Sequence, residues 1–124
     1  MKTGLLLFAH GARDPRWALP FEAVAAAVRA QRPAQPVRLA FLEFMAPDLR
    51  TGAGELVAAG CGQVNVLPLF LGAGGHVRKD LPPLLDELRA SHGHVTFTLH
   101  PAVGEAPSLV TAMAEIALAL PESP

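Results

Sequence analysis

Residues 64–82 read VNVLPLFLGAGGHVRKDLP, and how this stretch is taken decides the fold. A mostly apolar run over residues 64–71 breaks into Gly72, Gly74 and Gly75, delivers His76, and passes at once to Arg78, Lys79 and Asp80. Short apolar runs ending in glycine mark strands covered on both faces, and the glycines let the backbone turn sharply or approach a ligand closely. The stretch therefore reads as a buried strand running into a functional loop. Asp80 is then the expected cap of a helix through Ser91, with Leu81, Leu84, Leu85 and Leu88 as its apolar face. Pro82 and Pro83 fit that helix only if they fall in its first turn.

Outward from this stretch the pattern repeats. Residues 3–9 form an apolar strand ended by His10 and Gly11 and followed by the polar turn Ala12-Arg13-Asp14-Pro15. Over residues 16–31, Trp17, Phe21, Val24, Ala25 and Val28 recur at helical spacing on an alanine-rich background, until Pro33 and Pro36 stop the helix. Residues 37–42 read as a second strand running into Glu43. After Pro47, Asp48 is a suitable N-cap for a helix over residues 49–59, which Gly60 and Gly62 end. A fourth strand over residues 95–99 leads to His100, and a helix over residues 108–120 follows Pro107, leaving a frayed tail at 121–124. Strands alternating with helices predict a single α/β domain over residues 1–124, a four-stranded parallel sheet with helices on both faces and right-handed crossovers.

Composition limits the function classes. The 124 residues suffice for one domain with a real core. A formal net charge of −1 supplies no basic field for nucleic acid or for an anionic membrane surface. The single cysteine, Cys61, excludes an internal disulfide and any four-cysteine zinc site within the chain, and reads as a small buried residue beside a turn. The apolar run at residues 5–9 is too short for a secretory-signal core, and no segment approaches the ~20 apolar residues of a membrane span, so a cytoplasmic protein is expected. Hydrophobic residues make up 51% of the chain, a high share for a small domain, which predicts that some apolar surface meets a partner.

In open parallel sheets the ligand crevice lies beyond the carboxyl ends of the strands. Each strand here ends in a candidate ligand or base: His10, Glu43, His76 and His100. Each has an ordinary structural reading when taken singly, as a core histidine, a surface carboxylate, a turn residue or a strand-end residue bonded to backbone. Jointly, His10, Glu43 and His76 supply two imidazoles and a carboxylate, a set suited to a divalent ion of the iron, cobalt, nickel or zinc group. His92 and His94 fall at the opposite end of the sheet and read as turn residues. Arg13 and Arg16 after the first strand, and Arg78 and Lys79 after the third, suit a substrate bearing carboxylates or phosphates. The glycine loop lacks the Gly-Lys-Ser/Thr ending of a P-loop, Val77 occupies the place of the third small residue of a dinucleotide fingerprint, and no Gly-x-Ser-x-Gly is present.

Three segments together, His10-Gly11-Ala12-Arg13-Asp14-Pro15, then Phe41-Leu42-Glu43-Phe44 with Pro47, then Pro68-Leu69-Phe70-Leu71 through Gly74-Gly75-His76-Val77-Arg78-Lys79-Asp80 and Pro82, resemble the short CbiX-type sirohydrochlorin chelatases. The resemblance implies a class II chelatase half-fold that pairs as a homodimer, and insertion of Co2+ or Fe2+ into sirohydrochlorin on the way to cobalamin or sirohaem. It implies that His10 and His76 handle the metal and accept protons beside the carboxylate of Glu43. Arg13, Arg78 and Lys79, with the backbone at Gly74 and Gly75, are the expected substrate-binding positions. No organic cofactor is required, the metal being a substrate that extends to Ni2+ on ligand chemistry alone. One departure is Ala12, where the family commonly has serine. The alternative reading, from a different class, is a non-catalytic tetrapyrrole- or metal-binding protein on the same fold.

Overall fold

The computed structural model describes residues 2–72 and 74–123, without the side chains of residues 75–78. Strand β1 (Lys2–Ala9) is followed by a 3-10 turn (Pro15–Ala18) and α1 (Leu19–Gln31). Next come β2 (Val37–Phe41), α2 (Leu49–Ala58), β3 (Cys61–Pro68) and α3 (Gly75–Ser91). The chain ends with β4 (Thr96–Leu99), a second 3-10 turn (Val103–Glu105) and α4 (Pro107–Leu118). The strands form a four-stranded sheet in the order β2-β1-β3-β4. All pairs are parallel, with Phe8 opposite Ala40 on one side and Pro68 on the other.

The two central strands show why the apolar runs are continuous. Leu6 and Phe8 of β1 join Val64 and Val66 of β3 in the core beneath α2 and α3, while Leu7 and Ala9 face the opposite way, toward Ala25 of α1. Each central strand thus contributes apolar side chains to both faces, as expected of a parallel sheet. Among the described residues no helix is long and apolar enough to cross a membrane.

Several expected boundaries move. The helix expected over residues 16–31 divides into the 3-10 turn and α1, because Pro20 lacks an N–H and is accommodated in the first turn of the α-helix. The third strand begins at Cys61 and stops at Pro68, so residues 69–71 belong to the loop rather than to the strand. The helix expected from Asp80 begins at Gly75 with Gly74 as its N-cap, which leaves Pro82 and Pro83 inside it. Its apolar stripe explains the tolerance: Leu81, Leu85 and Leu88 are all buried. Burying each stabilises by about 1.5–3 kcal/mol, together comparable to what the two interior prolines cost at ~3 kcal/mol each. The fourth helix packs on neither face of the sheet, and from Val110 onward its residues are exposed.

Candidate metal-handling site

The site is built where β1, β2 and β3 end. At the end of β1, Ala9 is fully buried and His10 emerges half-buried. Its imidazole lies on the ring of Phe70, with centroids 4.3 Å apart and planes at 39°. Phe70 is itself buried and meets Phe8 edge-on at 5.8 Å. A histidine seated on a buried aromatic pair has its orientation restricted by packing, as a ligand or base on a rigid element requires.

The loop after β2 is held against this histidine by the backbone. Leu42 N–H donates to Ala9 O at 2.9 Å and to His10 O at 3.2 Å. Gly11 lies so close to the second loop that a Cβ there would sit 1.8 Å from the carbonyl oxygen of Glu43. Only glycine permits this approach. The loop closes on itself through Met45 N–H to Glu43 O at 2.8 Å and Phe41 N–H to Pro47 O at 2.9 Å. Glu43 and Phe44 stand exposed on it, Phe44 with a φ of 65°.

The loop after β3 is fixed from both sides. Leu69 N–H donates to Phe8 O at 2.7 Å, and Gly104 N–H donates to Phe70 O at 2.9 Å. A Cβ on Gly104 would fall 1.6 Å from Leu71 O, so a second glycine permits a second loop to close in. Phe70 therefore holds the His10 ring on one side and the second 3-10 turn on the other. The chain then enters α3, whose second residue is His76.

The structure thus brings together the loops of His10 and Glu43 and starts α3 from the end of the adjacent strand. The side chains of His76 and Arg78, and the surroundings of Gly75, lie outside the described residues. Among the described residues no three His, Cys, Asp or Glu side chains converge on a metal. Gly74 caps α3 without a side chain, leaving the helix's first N–H groups to other acceptors.

Of the basic residues, Arg16 is committed, its guanidinium gripping both carboxylate oxygens of Asp14. That pair holds the Asp14 carboxyl below the usual carboxylate range. Arg13 instead places its guanidinium 4.8 Å from the centroid of the Phe44 ring, and Lys79 is exposed. His100 follows β4, the edge strand beyond β3, and its Nε2 is hydrogen-bonded with Asn65 Oδ1 at 2.9 Å. His92 caps the far end of α3, as expected of a turn residue. Cys61 is buried against Gly4, and desolvation pushes its thiol up.

Sequence reasoning quoted Phe70 and Phe44 only within the resembling segments and gave neither a part in the site: Phe70 read as one more apolar residue in a strand-like run, and nothing in residues 41–47 marked Phe44 as exposed.

Comparison with known proteins gives one answer at two levels. The CbiX family matches residues 4–118. A sirohydrochlorin cobaltochelatase of Methanothermobacter thermautotrophicus is 32% identical over 93 residues, covering 75% of this chain and 64% of the relative. Its Saccharolobus solfataricus counterpart is 34% identical over 82 residues, covering 66% of this chain and 62% of the relative. The matched region thus spans less than two thirds of these curated relatives. A solved Marinobacter aquaeolei protein named for CbiX and cobalamin biosynthesis superposes with a TM-score of 0.82 at 34% identity, covering 94% of both chains. The sirohydrochlorin chelatase SirB of Bacillus subtilis subspecies spizizenii, solved with cobalt, shares the fold at a TM-score of 0.83 and 23% identity. There this chain is covered to 95% and the SirB chain to 50%.

Proposed function

Because the chain belongs to the CbiX family, we propose that it inserts a divalent metal, Co2+ or Fe2+, into sirohydrochlorin, as a chelatase serving cobalamin or sirohaem formation. The observation that carries this reading is the loop cluster at the strand ends. There a packed, half-buried His10 is joined through Gly11 to the carbonyl of Glu43, beside the strand that leads to His76.

Metal insertion removes two pyrrole N–H protons and strips water from the ion. An imidazole suits both tasks, because it titrates near neutral pH and is a ligand that lets the metal go. His10 and His76, with the Glu43 carboxylate, hold the incoming ion while leaving coordination positions open for ring nitrogens. The imidazoles also take up the pyrrole protons. Arg13, Arg78 and Lys79 grip the carboxylates at the rim of the macrocycle, and the backbone at Gly74 and Gly75 permits its close approach. Ni2+ satisfies the same ligand chemistry, so metal supply decides among these ions. No organic cofactor takes part.

The acting unit in this reading is a homodimer, each chain being one chelatase domain. The SirB chain, which shares this fold over half its length, is consistent with a unit built from two such domains. The exposed apolar helix α4 is suited to that role: Val110 is 61%, Met113 50% and Ile116 70% exposed.

The test is anaerobic absorbance of sirohydrochlorin with Co2+, Fe2+ or Ni2+, comparing the protein, its His10→Ala and His76→Ala variants, and a protein-free control. Insertion faster than the control, reduced about 10²-fold or more in each variant, is the expected result. Tight tetrapyrrole binding without faster insertion of any of the metals would instead make the protein a carrier or sensor on the chelatase fold.

A further inference from the structure

Phe44 has two features that an ordinary loop residue avoids. It is 58% exposed beside the candidate site, and its backbone occupies the left-handed region, at φ 65°, where bulky side chains are strained. The loop that carries it is tied down at several points. Met45 N–H to Glu43 O pins the turn around Phe44, Phe41 N–H to Pro47 O closes the base, and the contact between Gly11 and Glu43 O fixes the whole against the His10 loop. Strain at an exposed position held so firmly is characteristic of a ligand clamp.

The ring is also dressed with a cation. The Arg13 guanidinium lies 4.8 Å from its centroid and makes no ion pair among the described residues, whereas nearby Arg16 is bound to Asp14. An aromatic face beside a cation that forms no ion pair among the described residues matches a flat conjugated ring that carries carboxylates on its periphery.

We propose that Phe44 is a stacking platform for the face of the tetrapyrrole macrocycle, with Arg13 moving from the Phe44 ring to a peripheral carboxylate when the substrate arrives. The inference rests on the chelatase reading and adds Phe44 to it as a positioning residue. Phe44 touches the outer part of the macrocycle, so that the His10 imidazole, one loop away, addresses its centre. The Arg13 guanidinium exchanges a weak cation–π contact for a charge-assisted hydrogen bond.

The experiment is a titration of metal-free sirohydrochlorin, followed by absorbance, into the full chain and its Phe44→Gly and Phe44→Trp variants, with melting temperature and sedimentation measured alongside. Glycine is at ease at φ 65°, so the Phe44→Gly variant keeps or raises the melting temperature while its Kd rises at least about tenfold, the effect of losing an aromatic stacking partner. The Phe44→Trp variant keeps the affinity. Unchanged binding by the Phe44→Gly variant, or weaker binding that tracks loss of self-association, would overturn the platform and leave the chelatase reading standing. Wild-type protein that binds no sirohydrochlorin overturns both.

Discussion

Gly11 occupies the point at which the loops of His10 and Glu43 touch, and the contact is between backbone atoms rather than flexible side chains. An added methyl group has nowhere to go, so Gly11→Ala must drive the two loops apart. The expected result is a destabilisation of at least about 1 kcal/mol in a denaturant melt. Insertion should slow by about 10²-fold, because displacements near 1 Å in a reacting site carry penalties of that order. Gly54 provides the contrast. It lies within α2 with nothing within 4 Å of its missing Cβ, so Gly54→Ala is expected to raise stability by roughly 0.5–1 kcal/mol and leave insertion unchanged. Equal behaviour of the two variants would contradict the special role of Gly11.

At the scale of elements, α2 shows local chemistry acting as expected. Asp48 precedes it in extended geometry, and its carboxylate accepts from Thr51 N–H at 2.8 Å. That backbone hydrogen bond is the main reason its carboxyl lies below the ordinary range. A carboxyl lowered in the folded state contributes stability that is complete above its unfolded value, about pH 4, and is lost as pH falls through the folded value. Asp48→Ala should therefore cost about 1 kcal/mol at neutral pH, and the difference from wild type should shrink toward pH 2. Urea melts across that range check both the size and the sign. The helix after β3 obeys a different rule. Its start is set by where β3 delivers the chain and by the burial of Leu81, Leu85 and Leu88, so it begins at Gly75, ahead of the residue that local capping rules select.

On the scale of the whole molecule, the open question is the surface of α4. Its exposed residues include Ile116 at 70% and Leu118 at 82%, and its main contacts are with the short turn that precedes it. A stable pairing buries about 800 Å² per partner, and a 12-residue helix with one apolar side after another is a large part of such a surface. Ile116→Glu should therefore convert a dimer to a monomer in sedimentation equilibrium without lowering secondary-structure content, since Ile116 is not part of the core of its own chain. A variant that stays dimeric would place the interface elsewhere.

The sequence by itself determined the strand–helix alternation, the parallel sheet, the cap at Asp48 and the presence of His10 and Glu43 at strand ends, because apolar periodicity, capping and glycine breaks act over a few residues. The family was legible for a related reason: the resemblance rests on short contiguous segments, and at Gly11 of the His-Gly loop the close approach to Glu43 O does require glycine. Only the tertiary structure decided that the His10 ring rests on Phe70, that Gly11 meets Glu43, that Arg16 is taken by Asp14 and that α4 leaves the sheet. Each of these depends on chain segments far apart in sequence meeting at fixed distances, and no local pattern encodes such a distance.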